Sequence, residues 1–293
     1  MSKNKIAYIY AGLSVFFWAT VPTAFKISLN YLSIVELLFY SSVVSAVSLF
    51  IILLVQKKLS LLKELKRNDY LFSGLLGFIN PFVYYLILFK SYSLLPAQQA
   101  QPLNLVWGIL LVVISIPILK QSLRLADIIG LFVCFLGVVV ISTKGDFAVL
   151  RISSPLGVGL ALASSFLWAI YWILNVKDTR DPIVRLFLNF AAGAIFIFPL
   201  FLINFRVSPW QGITGAVYVG LFEMGLTFFF WISALKLTQR TVNVAILIYL
   251  VPFLSFVFIN IFLGERILVS SVIGALLIVV GTLINKYREF RSS

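Results

Sequence analysis

Residues 6–27, IAYIYAGLSVFFWATVPTAFKI, form an unbroken apolar run whose single charged side chain is Lys26. A helix crosses the hydrocarbon core of a bilayer with about 20 such residues, so the stretch is read as a membrane span. Its length, Pro22, Lys26 and the lack of a small-x-small cleavage pattern after it separate it from a signal peptide and make it a retained first span. Runs of the same kind recur at 32–55, 70–90, 96–118, 125–143, 156–176, 183–204, 213–235, 241–263 and 268–285. Composition agrees: 61% of the 293 residues are hydrophobic and 11% charged, with a mean hydropathy of +1.07, values outside the range of soluble domains. Strands of an outer-membrane barrel would alternate apolar and polar, and these runs are continuous. The predicted fold is an all-α polytopic membrane protein with ten transmembrane helices.

The net charge of +13 raises nucleic acid as a partner, but the basic residues lie between the runs. With the amino terminus inside, 17 of them fall in inside segments, among them Lys57, Lys58, Arg124, Arg180, Arg240 and Lys286. The other six, Lys26, Lys90, Lys144, Arg151, Arg206 and Arg266, fall outside. This positive-inside bias places both termini in the cytoplasm and the chain in the inner (plasma) membrane; the partner is the lipid bilayer, not nucleic acid. Histidine is absent and Cys134 is the one cysteine, which removes zinc, haem, disulfides and histidine-based nucleophiles. No phosphate-binding loop is present for primary active transport. Neither an enzyme, a cofactor nor a metal is expected.

Sliding the second half under the first reveals a duplication. Phe17-Trp18-Ala19 meets Leu167-Trp168-Ala169 at an offset of 150, and Ile129-Gly130 with Gly137 meets Ile273-Gly274 with Gly281 at 144. Gly74 and Lys90 meet Gly220 and Lys236 at 146. The two units are residues 1–145 and 146–293. Five spans is an odd number, so the second unit enters from the opposite face, giving two inverted five-helix repeats, an arrangement of transporters in which a site between the halves opens to each side in turn.

The sequence resembles the drug/metabolite transporter superfamily, as a protein of two EamA-type repeats. The likeness rests on Phe17-Trp18-Ala19 with Pro22, on Ala234-Leu235-Lys236, on Tyr249-Leu250-Val251-Pro252, and on Leu263-Gly264-Glu265-Arg266. The stretch LLPAQQAQPLNLVWG, Leu94 to Gly108, is similar to the fourth-helix motif of the aromatic amino-acid exporter branch, with Asn104 and Trp107 matching. Where that branch carries a histidine in helix three and an acid opening helix four, this chain has Phe82 and Gln99. In place of Gly-Glu-Arg the first half reads Lys120-Gln121-Ser122. The resemblance implies a substrate that is a small metabolite, amino acids first.

Polar side chains inside spans are costly and mark candidate sites. Glu223 is the acid nearest mid-span, on a helical stripe with Ala216, Gly220, Thr227, Trp231 and Ala234, and is the candidate coupling group; the plainer alternative is a protonated packing contact. Asn80 precedes Pro81, which frees a carbonyl, and Tyr84 follows one turn on. Gln101, Asn104 and Gly108 share a face, with Trp107 at its edge. Trp168 and Tyr171 lie on a stripe with Ser164 and Asn175, and Trp18 holds the duplicated position. In the ninth span Asn243 and Tyr249 offer further polar atoms; Asn243 could merely cap its start, and Tyr249 lies nearer mid-depth. Amides beside aromatic walls suit an amphipathic organic solute. The substrate-binding candidates are therefore Trp18, Asn80, Tyr84, Gln101, Asn104, Trp107, Trp168, Tyr171 and Tyr249. Lys26, Lys90 and Lys236 are read as snorkelling anchors, and the paired glycines mark helices five and ten as scaffold or as the face of a homodimer. A secondary exporter or facilitator is the leading reading; a transporter of other organic cations, nucleosides or drugs, a passive pore and a membrane scaffold are the competitors.

Overall fold

The run that opens the chain folds as α1 (Lys3–Leu29), started by Ser2, whose hydroxyl accepts the Lys5 amide. Ser33 starts α2 (Ile34–Val55) through a reciprocal cap: its hydroxyl takes the Glu36 amide while the Glu36 carboxylate takes its own, which satisfies two of the donors a helix start leaves open. The computed structural model describes residues 2–119, 125–146, 154–238 and 246–292. Lys120, Gln121, Ser122, Arg124, Arg151, Arg240 and Asn243 lie outside the described residues. The elements that follow are α3 (Arg67–Leu94), α4 (Ala97–Asn104), α5 (Trp107–Leu119), α6 (Leu125–Ser142), α7 (Pro155–Lys177), α8 (Pro182–Ile203), α9 (Trp210–Leu237), α10 (Val251–Leu263) and α11 (Val269–Ser292).

Among the described residues the fold is all helical. Six helices are long and apolar enough to cross a membrane: α1, α2, α3, α8, α9 and the Pro155–Asn175 part of α7. Shorter apolar helices cover Ile128–Ser142, Leu247–Leu263 and Val269–Ile284. Large apolar side chains on the outside, such as Phe132, Ile195 and Ile261, stand well over half exposed, which in this chain is surface for lipid rather than water. This is a multi-pass membrane protein.

Hydropathy locates the runs but not their breaks. The fourth run divides at Leu105 and Val106 into α4 and α5, so the face expected for Gln101, Asn104 and Gly108 does not persist: Gly108 lies against Thr282 of α11, whereas the two amides face elsewhere. The third and eighth runs each contain a π-helical turn, Phe78–Val83 and Gly220–Gly225. In the first, Asn80 leaves helical geometry and its peptide to Pro81 is cis. Such turns insert a residue and rotate everything beyond them. The stripe through Glu223 is split as a result: Gly220 and Gly225 lie against Ser41, Val44 and Ser48 of α2, while Trp231 and Ala234 pack with Ala11 of α1.

The repeated glycines bring α6 and α11 together. A methyl group on Gly137 would lie 2.7 Å from the Gly274 carbonyl oxygen, and one on Gly281 would lie 2.6 Å from that of Gly130. Cys134 sits in the same seam, its thiol 3.4 Å from the Ile278 carbonyl. The glycine faces are thus consumed inside one chain. Elsewhere α1 packs on α9 and α10, α7 on α3 and α5, and α2 on α8, which sets the first-half and second-half aromatic residues facing each other.

Candidate functional site

The two tryptophans of the duplicated motif are joined by one phenylalanine. Phe228 of α9 meets Trp18 edge-on at 5.7 Å and Trp168 at 5.9 Å between ring centroids. Trp168 stacks on Tyr84 of α3 at 4.7 Å and on Tyr171, one turn along α7, at 5.7 Å. Trp18 continues to Trp231 at 5.5 Å. Stacked and edge-on pairs at such separations are the favoured arrangements for aromatic rings. The rings close on one another, with Tyr84, Trp168 and Tyr171 all buried.

Polar groups border this wall. The Asn104 amide donates to Ser164 Oγ at 2.8 Å, and Tyr84 donates to Asn104 Oδ1 at 3.4 Å. Ser165 donates to the Leu103 and Asn104 carbonyls, which tail off α4 just before its break. Gln101 points the other way: its side-chain oxygen accepts from Ser255 of α10. Tyr171 accepts from Asn189 of α8 at 3.1 Å. Tyr85 donates to the Glu223 carboxylate at 2.9 Å, and its ring lies 4.6 Å from that of Tyr84, so the carboxylate is one residue removed from the stack.

The remaining candidates are placed less centrally. Asn80 is wholly buried in the break of α3, which faces α8; Gly193 there leaves room for the Pro81 ring. Trp107 opens α5, half-buried on the core. Tyr249 is half-buried in the 3-10 turn Ile246–Leu250 that leads into α10 and touches α1. Lys26 is no snorkelling anchor: its ammonium donates to the Tyr92 and Leu95 carbonyls at 2.8 and 2.9 Å, closing the end of α3. Tyr85, Asn189, Ser255 and Phe228 were not among the predicted site residues. Asn189 could have been found by the cost of a lone amide in an apolar run. Among the described residues there is no cluster of three or more His, Cys, Asp or Glu side chains that could hold a metal.

Two polar belts cross between the chain halves beyond the rings. At the end where α1 finishes, Glu265 accepts the Ala97 and Gln98 amides that start α4, at 3.0 and 3.3 Å. Gln98 bonds the Arg266 carbonyl and the Leu268 amide. Arg206 and Ser208 hold the buried Glu36 carboxylate. At the opposite end Lys58 pairs with Asp181 at 2.7 Å, and Arg180, paired with Asp178, donates to the Asp69 carbonyl and to Ser73. Burial pushes the Asp178 and Asp181 carboxyls up, but the hydrogen bonds from Arg180 and Lys58 outweigh it and hold both below their ordinary values.

The EamA-like transporter family matches the sequence twice, over residues 5–143 and 155–287. The uncharacterized transporter YyaM of Bacillus subtilis (strain 168) is 23% identical over 97% of this chain and 94% of its own length. An uncharacterized transporter of Archaeoglobus fulgidus is 23% identical over 94% of this chain and 96% of its own length. YvbV of Bacillus subtilis, also called an uncharacterized transporter, is 29% identical over 72% of this chain and 68% of its own. One solved crystal structure, 21% identical, shares the fold with a TM-score of 0.65 over 98% of both chains.

Proposed function

This chain belongs to the EamA-like transporter family, and on that premise we propose that it is a secondary transporter, an exporter or facilitator of small amphipathic metabolites with amino acids first. It works by alternating access at a site between two inverted five-helix repeats. Ten spans result when α4 with α5, α6, the 246–263 segment and α11 are counted with the six long helices. The inverted repeat is supported by reciprocal packing: α1 on α9 and α10 mirrors α7 on α3 and α5, while α2–α8 and α6–α11 are their own counterparts. The π turns of α3 and α9 lie in corresponding runs. The charge bias puts both termini in the cytoplasm and the chain in the inner membrane.

The observation that carries the reading is the contact set Trp18–Phe228–Trp168–Tyr84 with Asn104–Ser164, in which neither half completes the site alone. Aromatic faces hold an apolar body, and the amide and hydroxyls hold a polar head. Glu223 favours a second reading, an organic cation held between the rings and a carboxylate. Counterflow of labelled amino acids and of quaternary amines in proteoliposomes separates the two. Saturable amino-acid exchange that is lost in Asn104→Ala and Trp168→Ala supports the first. Exchange of amines alone supports the second, and unsaturable flux of every solute would indicate a passive pore instead.

A further inference from the structure

We propose that the crevice between α1, α9 and α10 is a seat for one membrane phospholipid, with an acyl chain lying along α1. The crevice has a volume of about 470 Å³ and lies apart from the aromatic site. Its floor is the α1 stripe Phe16, Thr20, Thr23 and Ile27, at helical spacing, and its walls include Tyr218 and Phe258. From Phe16 to Ser28 it extends about 18 Å along the helix, close to the roughly 15 Å that one leaflet contributes to the hydrocarbon core.

Its chemistry changes along that length. Phe16 and Phe258 meet edge-on at 5.7 Å at the deep end. Ser28, Gln211 and Thr214 stand at the other end, where α1 finishes and α9 begins. That order, apolar below and hydrogen-bonding above, is the order of a lipid from its chain to its glycerol esters. Thr23 and Ser28 line the crevice with hydroxyls that are buried and have no hydrogen-bond partner in the protein; turned toward the crevice, they would donate to ester carbonyls. Phe16 and Ile27 of the floor and Phe262 beside them are exposed among lipid-facing side chains, so the crevice opens sideways into the bilayer.

The full chain, reconstituted in phosphatidylethanolamine vesicles, is irradiated with phosphatidylethanolamine carrying a diazirine midway along one acyl chain, and labelled peptides are mapped by mass spectrometry. Labelling of the α1, α9 and α10 segments about three- to tenfold above the Phe132 and Phe135 face of α6 is expected. Thr23→Val with Ser28→Ala keeps the shape, removes both hydroxyls and lowers that excess about three- to tenfold. Thr214→Trp fills the crevice from an exposed position and abolishes the excess; Ile27→Trp does the same from the α1 floor, should the first variant fail to fold. Even labelling of all lipid-facing helices, or an excess that survives both filling variants, would overturn the proposal.

Discussion

Replacing Glu265 with alanine tests the belt that ties the second half of the chain to the start of α4. Pro96, which precedes α4, has no side chain able to accept the open amides there, so the Glu265 carboxylate serves in its place, at 3.0 Å from the Ala97 nitrogen and 3.3 Å from that of Gln98. Both residues are buried, and a buried donor left without a partner costs about 1–3 kcal/mol. The carboxylate is half-exposed, and the longer of the two bonds is weak, so about 3 kcal/mol for the pair is the working figure. At roughly 2–4 °C per kcal/mol for a large domain, Glu265→Ala lowers the melting temperature in lipid by roughly 6–12 °C. Glu265→Gln retains an acceptor but loses the charge that complements the helix start, and forfeits about half of that. The assay is thermal unfolding of the reconstituted chain, with Glu64→Ala, an exposed acid, as reference. An alanine variant melting within about 1 °C of wild type would refute the capping argument.

Four further outcomes are expected. Tyr85→Phe and Glu223→Gln each slow transport, and the double variant is no slower than the worse single one, because the two act through one hydrogen bond; a fully additive defect would separate them. If Glu223 couples transport to protons, Glu223→Gln removes the pH dependence of export, and a variant whose pH profile matches wild type retires that role. Asp178 and Asp181 are held below the ordinary carboxylate value, so they bind protons less readily folded than unfolded. The stability they add is complete above about pH 4 and drains away as pH falls through their folded values; the melting temperature should drop on acidification, and Asp181→Asn should flatten part of that drop. Gly137→Ala drives a methyl group into the Gly274 carbonyl and Ile278 and costs about 1–3 kcal/mol as overpacking, whereas Gly12→Ala meets nothing within 4 Å and stabilises by about 0.5–1 kcal/mol; equal effects in unfolding titrations would show that the α6–α11 seam can yield.

The sequence announced what hydrophobicity controls and was silent where backbone geometry decides. A charge or amide in an apolar run is visible because lipid cannot solvate it, which is how Asn104 and Glu223 stood out. Asn189 is legible by the same argument. Ser255 is not, because a helical serine can satisfy its hydroxyl on its own chain, as Ser255 does on the Pro252 carbonyl, and so costs nothing to hide. The π turn in α9 carries no proline and leaves no trace in periodicity, yet it decides which residues share a face with Glu223. Lys26 looked like an anchor because an ammonium at a helix end has two low-energy outlets, the headgroups or a neighbouring helix's carbonyls, and only packing chooses between them.

The two belts differ in what separation would strand. At the Lys58 end, parting α3 and the α2–α3 link from the α7–α8 link breaks an ion pair whose members are 31% and 19% exposed, worth at most about 1 kcal/mol in such a setting. Arg180 would lose the Asp69 carbonyl and Ser73 but keep Asp178 on its own link, at 2.6 Å, so no buried charge is left alone. Parting α2 from the α8–α9 link at the other end takes Arg206 and Ser208 from Glu36, a carboxylate with no exposure that would keep only its own helix cap. The same end also carries the bonds of Glu265 to the Ala97 and Gln98 amides and of Gln98 to Arg266 and Leu268, so more hydrogen bonds are lost on parting there than at the Lys58 end. The Lys58 end is therefore the cheaper of the two to part, and under the proposed topology and exporter reading that end would face the cytoplasm, the side from which solute would be collected.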